Sequence, residues 1–149
     1  MSAETDLIKL YSTRILALAA DIPLTKRLDH PDATVKLRAP LCGSTVTVDI
    51  TVKDGRIAAF GQDVKACALG QASASVVGAH VIGRTRAEVE KARDELRAML
   101  KDAGPAPSAP FDGLEVLLPA RDYKNRHASI LLALEATAQA MAEAEAAHA

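Results

Sequence analysis

The sequence predicts an α+β fold, with a small antiparallel sheet of about three strands covered by helices and a helical C-terminal half. Three observations predict it. Val46, Val48, Ile50 and Val52 alternate with Thr45, Thr47, Asp49 and Thr51 at the period of a half-buried strand. Lys53-Asp54-Gly55-Arg56 follows, and Asp-Gly is a strong hairpin signal because both central residues of such a turn need positive φ. Downstream, apolar residues recur at helical rather than strand spacing.

Taken in order, Leu7, Ile8, Tyr11, Ile15 and Leu18 form the apolar face of an N-terminal helix that ends before Pro23. Asp21 to Asp32 reads as a loop, and Thr34 to Arg38 as a short strand pairing with the hairpin. Beyond Cys67, Ala68 to His80 is dominated by small residues that let a helix lie close against the sheet. Cys67 then falls at or near a helix N-terminus, where unpaired N–H groups favour thiolate over thiol. Thr85 and Glu88 form a capping box for a helix whose buried face is Val89, Ala92, Leu96, Met99 and Leu100, stopping at Ala103-Gly104. A Pro-rich excursion over 103–117 is docked back by Phe111 and Leu114 to Leu118. Residues 118–127 make a loop into a last helix carrying Ile130, Leu131, Leu134, Ala138 and Met141, with a tail that frays over 143–149. The whole of 1–149 is one domain.

Net charge is −1, with acidic and basic residues mixed along the chain. That balance argues against nucleic acid and anionic membrane as partners. The start lacks the basic region and apolar run of a signal peptide, and no stretch approaches a bilayer span, so the expected location is cytoplasmic. In a reducing cytosol two cysteines are more often free thiols, metal ligands or redox groups than a structural disulfide.

Those cysteines carry the functional reading. Cys42 and Cys67 occupy mirror positions about Asp54-Gly55, so their thiols converge at the hairpin's open end, even if twist or a bulge at Gly61 shifts the register by one. Two thiols are fewer than a zinc or iron–sulfur site requires. Among the histidines, His30, His80 and His148 read as structural or solvated, whereas His127 precedes the last helix where it can meet the mouth of the sheet. Arg121, Lys124 and Arg126 are a basic cluster beside it, read either as a solvated loop or as a dock for an acidic partner or a sulfur species. Dinucleotide and Walker glycine motifs and a serine nucleophile elbow are absent.

Ala39-Pro-Leu-Cys42-Gly-Ser44, Phe60 to Cys67 with Ala-Leu-Gly-Gln-Ala-Ser-Ala-Ser75 behind it, Leu118-Pro-Ala-Arg121 and Lys124-Asn-Arg-His-Ala-Ser129 together resemble the U-type iron–sulfur cluster assembly scaffolds. That family comprises IscU, SufU and the NifU N-terminal domain. The Ala-Ser-Ala-Ser run, the Pro-Ala-Arg segment and the Pro-rich excursion are most similar to the SufU branch. The resemblance implies three cysteines and an Asp that hold zinc, iron or a nascent cluster, with a cysteine desulfurase and cluster-acceptor proteins as partners. Here Cys42 and Cys67 take two cysteine positions, Ser44 stands where the Asp would be, and the third cysteine is missing. One alignment puts His127 on the lost cysteine, the other puts Ala128 there.

The resemblance thus implies a scaffold-like protein, non-enzymatic, binding iron, a cluster or zinc through Cys42, Cys67 and His127, with Ser44 as a weak fourth ligand. Two alternatives stand beside it. One is a zinc-dependent sulfur acceptor, a sulfurtransferase, with Cys42 or Cys67 receiving sulfur from the desulfurase. The other is a metal-free binding or regulatory module. A homodimer is compatible with each.

Overall fold

The computed structural model describes residues 11–148. The part of the predicted first helix that carries Leu7 and Ile8 lies outside the described residues. The helix is seen as α1, Thr13–Ala20, started by the Ser12 side chain accepting from the Ile15 N–H and anchored by buried Ile15. Three antiparallel strands follow in spatial order, β1 (Ala33–Arg38), β2 (Thr45–Lys53) and β3 (Arg56–Lys65). Asp54 and Gly55 both have positive φ, 53° and 74°, as the predicted hairpin turn requires.

The register shifts by one between Thr51 and Val52, because Ala58 is an extra residue in β3 opposite that step. Thr45 consequently faces Lys65. The bulge is at Ala58, not at Gly61. Gly61 serves a different purpose: a Cβ there would come within 2.5 Å of the Lys26 carbonyl, so the 21–32 loop can cross the sheet only over a glycine. That loop covers the strand face carrying the polar residues of β2. It buries Asp49, which accepts from Arg27 Nε at 2.5 Å and Nη2 at 3.0 Å, from the Leu28 N–H at 3.0 Å and from the Thr34 hydroxyl at 2.7 Å.

On the opposite face Val46, Val48 and Ile50 are buried, each contributing about 1.5–3 kcal/mol by leaving water. The helix against them is α4, Lys124–His148, which packs on β1 and β2. Its run from Ile130 to Leu134 is buried without a break, as expected of a central helix with neighbours all round. The small-residue helix α2, Ala68–His80, packs mainly between α1 and α4 and touches the sheet little. Its small side chains therefore serve helix–helix contact rather than the close approach to the sheet that the sequence suggests.

The capping box at Thr85 and Glu88 is formed as predicted and opens α3, Arg86–Lys101. The Pro-rich excursion is pinned to it, since Ser108 donates from its N–H and hydroxyl to Glu95 and Phe111 is buried. Residues 118–127, expected as a loop, are instead the first turn of α4 from Lys124 and the end of a 3₁₀ helix, Asp112–Asp122, in which Leu114, Leu117 and Ala120 are buried. Arg121 follows, donating to the Met99 and Gly104 carbonyls at the end of α3, so part of the basic cluster is occupied as a helix cap. Helix α4 continues past 143, where the sequence suggests fraying, with Ala144 buried and Glu145 paired to Arg86.

Candidate metal centre

Three elements bring the cysteines together. The 39–44 turn is closed by the Ala39 N–H on the Ser44 carbonyl and the Gly43 N–H on the Ala39 carbonyl, which holds Cys42 exposed just before β2. Cys67 comes shortly after β3 and is the N-cap residue of α2, with extended φ and ψ of −65° and 168°. Ser129, near the start of α4, lies between them. The Cys42 thiol donates to Ser44 Oγ at 3.2 Å, Ser129 Oγ donates to Ser44 Oγ at 3.0 Å, and Ser129 Oγ is 3.5 Å from Cys67 Sγ. A continuous chain thiol–hydroxyl–hydroxyl–thiol results, with both serines buried. Partial burial raises the Cys42 pKa, but hydrogen bonds from the Ser44 hydroxyl and backbone and from the Ser129 hydroxyl outweigh it and leave the thiol below its ordinary value. Serine hydroxyls rotate freely, so the same oxygens that accept from a thiol donate to a thiolate.

The structure places His127 in different surroundings. Its Nε2 lies 3.0 Å from the Ala120 carbonyl and 3.0 Å from the Arg121 carbonyl. Both partners only accept, so Nε2 carries the proton and is not a free ligand atom. The ring borders a hollow of about 460 Å3 lined by Leu100, Lys101, Arg121 and Lys124, which includes neither cysteine. Among the described residues no group of three or more His, Cys, Asp or Glu side chains is arranged to hold a metal ion. Cys42, Cys67 and Ser44 are thus brought together, and Ser129 is the fourth member. Sequence reasoning missed Ser129; its signal was a hydroxyl one residue before the long apolar run of the last helix. We expect His127→Ala to lower stability by about 2 kcal/mol in urea denaturation, through loss of a buried donor and its volume, while metal stoichiometry is unchanged.

The sequence matches the NifU-like N-terminal domain over residues 23–143. The chain belongs to the NifU-like N-terminal domain family. This is within the scaffold family that the sequence resembles, and the solved structures agree. A NifU-like protein (N-terminal) from Brucella abortus, described as nitrogen-fixing, is 44% identical with TM-score 0.92, covering 95% of this chain and 98% of its own. A proposed iron–sulfur cluster assembly scaffold protein for the SUF system from Fervidobacterium islandicum superposes with TM-score 0.80 at 18% identity, covering 90% of this chain and 98% of its own, which shows the shared fold. Among curated proteins none matches. Assignment to the SufU branch does not follow from these matches. No helix among the described residues is long and apolar enough to cross a membrane.

The side chains gathered in this patch are two thiols and two hydroxyls. Soft thiolates suit zinc and iron, while neutral hydroxyls add little charge compensation for a divalent ion. Such a set would offer a metal ion two thiolates and leave its other coordination positions open. Helix packing fixes it: a Cβ on Gly70 of α2 would come within 2.5 Å of Ser129 Oγ and 3.2 Å of the Ser129 carbonyl. Gly70→Ala should push α4 off α2, costing about 1–3 kcal/mol and separating Ser129 from Cys67. Thermal denaturation, together with the rate of Cys67 alkylation, checks both effects.

Proposed function

We propose that this protein acts as an iron–sulfur cluster assembly scaffold, taking iron or a nascent cluster as cargo at Cys42 and Cys67, with Ser44 and Ser129 beside them. The observation that carries this reading is the hydroxyl chain that links two cysteines from different elements, the only two in the sequence, into one patch. The proteins that would meet it are a cysteine desulfurase and cluster acceptors, and the setting we propose is cytoplasmic. His127 enters as the staple of the turn before α4. Anaerobic reconstitution with iron and sulfide should give thiolate-to-iron charge-transfer absorption that is lost in Cys42→Ala. A colourless, iron-free product would sink the proposal.

One observation favours a second reading. Cys42 is exposed, and hydroxyl hydrogen bonds hold its thiol below the ordinary value, the environment of a nucleophile. On that reading it accepts persulfide sulfur, with zinc as the bound metal. Desulfurase turnover measured with and without stoichiometric zinc-loaded protein discriminates, since a passive scaffold leaves turnover unchanged.

A further inference from the structure

We propose that the groove between α1 and the second half of α2 binds a short peptide with both ends free, about three residues long. The site stands apart from the cysteine patch and from the scaffold reading, because the groove lies toward the C-terminal end of the helix whose N-cap is Cys67.

The hollow has a volume of about 500 Å3. That falls within the roughly 300–1,000 Å3 of small-ligand clefts, which are mostly apolar with a few polar groups that fix orientation. Leu18 of α1, Val76 and Ala79 of α2, and Pro23 supply the apolar walls, with Val76 buried. The helices are tied together beside it, since the Ser75 hydroxyl donates to the Asp21 carbonyl at 3.3 Å. On the third side stands Gly113 of the 3₁₀ helix, which leaves open the space a side chain would fill. A Cβ there would only touch Val76, at 3.4 Å.

The charges around the groove define the ligand. Arg14, Leu18 and Asp21 stand at i, i+4 and i+7, on one face of α1 and its C-cap. They present a cation, an apolar side chain and an anion in that order, over about 10 Å at a rise of about 1.5 Å per residue. Among the described residues the Arg14 guanidinium, the Asp21 carboxylate and the His80 imidazole have no hydrogen-bond or ion-pair partner. By contrast, each arginine of α3 has an acidic partner. The complement is a carboxylate for Arg14, an ammonium for Asp21 and an apolar body between them. A single α-amino acid is too short, because both its charges sit on one carbon. An extended chain advances roughly 3.3 Å per residue, so three residues with free ends span the two groups. The carboxylate can pair with Arg14 through two parallel N–H bonds. His80, at the end of α2, adds ring nitrogens that donate to or accept from the peptide's amide groups.

The test is a titration of the full chain with zwitterionic Ala-Leu-Ala, followed by amide chemical shifts in nuclear magnetic resonance. Saturable shifts should centre on α1, on Ser75 to His80 and on Gly113. Arg14→Glu and Asp21→Lys, both at exposed positions, should each weaken binding at least tenfold, as should acetylating and amidating the ends of the peptide. Gly113→Leu should abolish binding by filling the groove; the backbone there is not left-handed, so a side chain is tolerated. Cys42→Ala should bind the peptide as wild type does, so a protein that takes up no iron still reports on this site. Shifts that do not saturate, shifts centred elsewhere, or equal affinity for the blocked peptide would overturn the proposal. So would unchanged affinity in Arg14→Glu or Asp21→Lys.

Discussion

Asp49→Ala should lower unfolding free energy by about 3 kcal/mol, the largest loss expected from a single polar substitution in this protein. Asp49 is fully buried yet takes four hydrogen bonds, two from Arg27 and one each from the Leu28 N–H and the Thr34 hydroxyl. Removing it leaves the Leu28 and Thr34 donors without their partner. The Arg27 side chain is 52% exposed and returns to water, which is why the cost stays below that of breaking a fully buried pair. Acidification tests the same contact. Burial raises the Asp49 pKa, but hydrogen bonds from Arg27, Thr34 and Leu28 and the Arg27 charge more than offset it, leaving the folded value below the ordinary one. A depressed folded pKa means stability that is complete above the unfolded value of about 3.9 and lost as pH falls through the folded value. The wild-type midpoint in urea should therefore fall faster between neutral pH and pH 3 than that of Asp49→Ala. Identical midpoints for the two proteins at neutral pH would mean that the carboxylate does not hold the 21–32 loop.

Asp49 also marks where the sequence stops being legible. Its place in the Thr45-Val52 alternation puts it on the strand face away from the helices, and nothing local says that a loop will cover that face. The partner, Arg27, comes from a segment with no periodicity, so the pairing exists only in three dimensions. Local signals held: the Asp54-Gly55 turn, the Thr85–Glu88 box and the helical face of Val89 to Leu100 are determined within a few residues. The bulge was misplaced because Gly61 is a contact glycine, and only the loop backbone reveals that. At the site the cysteines were legible because hairpin geometry is nearly rigid and tolerates a one-residue shift. His127 was read by its position along the chain, whereas its ring orientation is set by the Ala120 and Arg121 carbonyls of the preceding 3₁₀ turn. Two residues along the helix, the side chain points to the cysteines instead, and Ser129 holds that position.

Ser129→Cys should add a third thiolate to the pair formed by Cys42 and Cys67. Ser129 Oγ is 3.5 Å from Cys67 Sγ and 3.0 Å from Ser44 Oγ, so a sulfur in its place stands within reach of metal held by Cys42 and Cys67. Three thiolates per chain then leave one coordination position, which the Ser44 hydroxyl or water can fill. Reconstituted Ser129→Cys should therefore retain more iron per chain than wild type, read by iron analysis and by charge-transfer absorption. The added sulfur is larger than the oxygen it replaces and meets Gly70 across a close helix contact, so a stability loss of about 1 kcal/mol accompanies the gain. Adding Ser44→Asp should raise iron retention further, because a carboxylate then replaces a neutral hydroxyl beside the three thiolates. Ser129→Ala supplies the opposite control: it removes the hydroxyl that bridges Ser44 and Cys67 without adding a donor, so iron retention should fall below that of wild type. If Ser129→Cys folded normally yet retained no more iron than wild type, the number of thiolates in the patch would not limit how firmly cargo is held there.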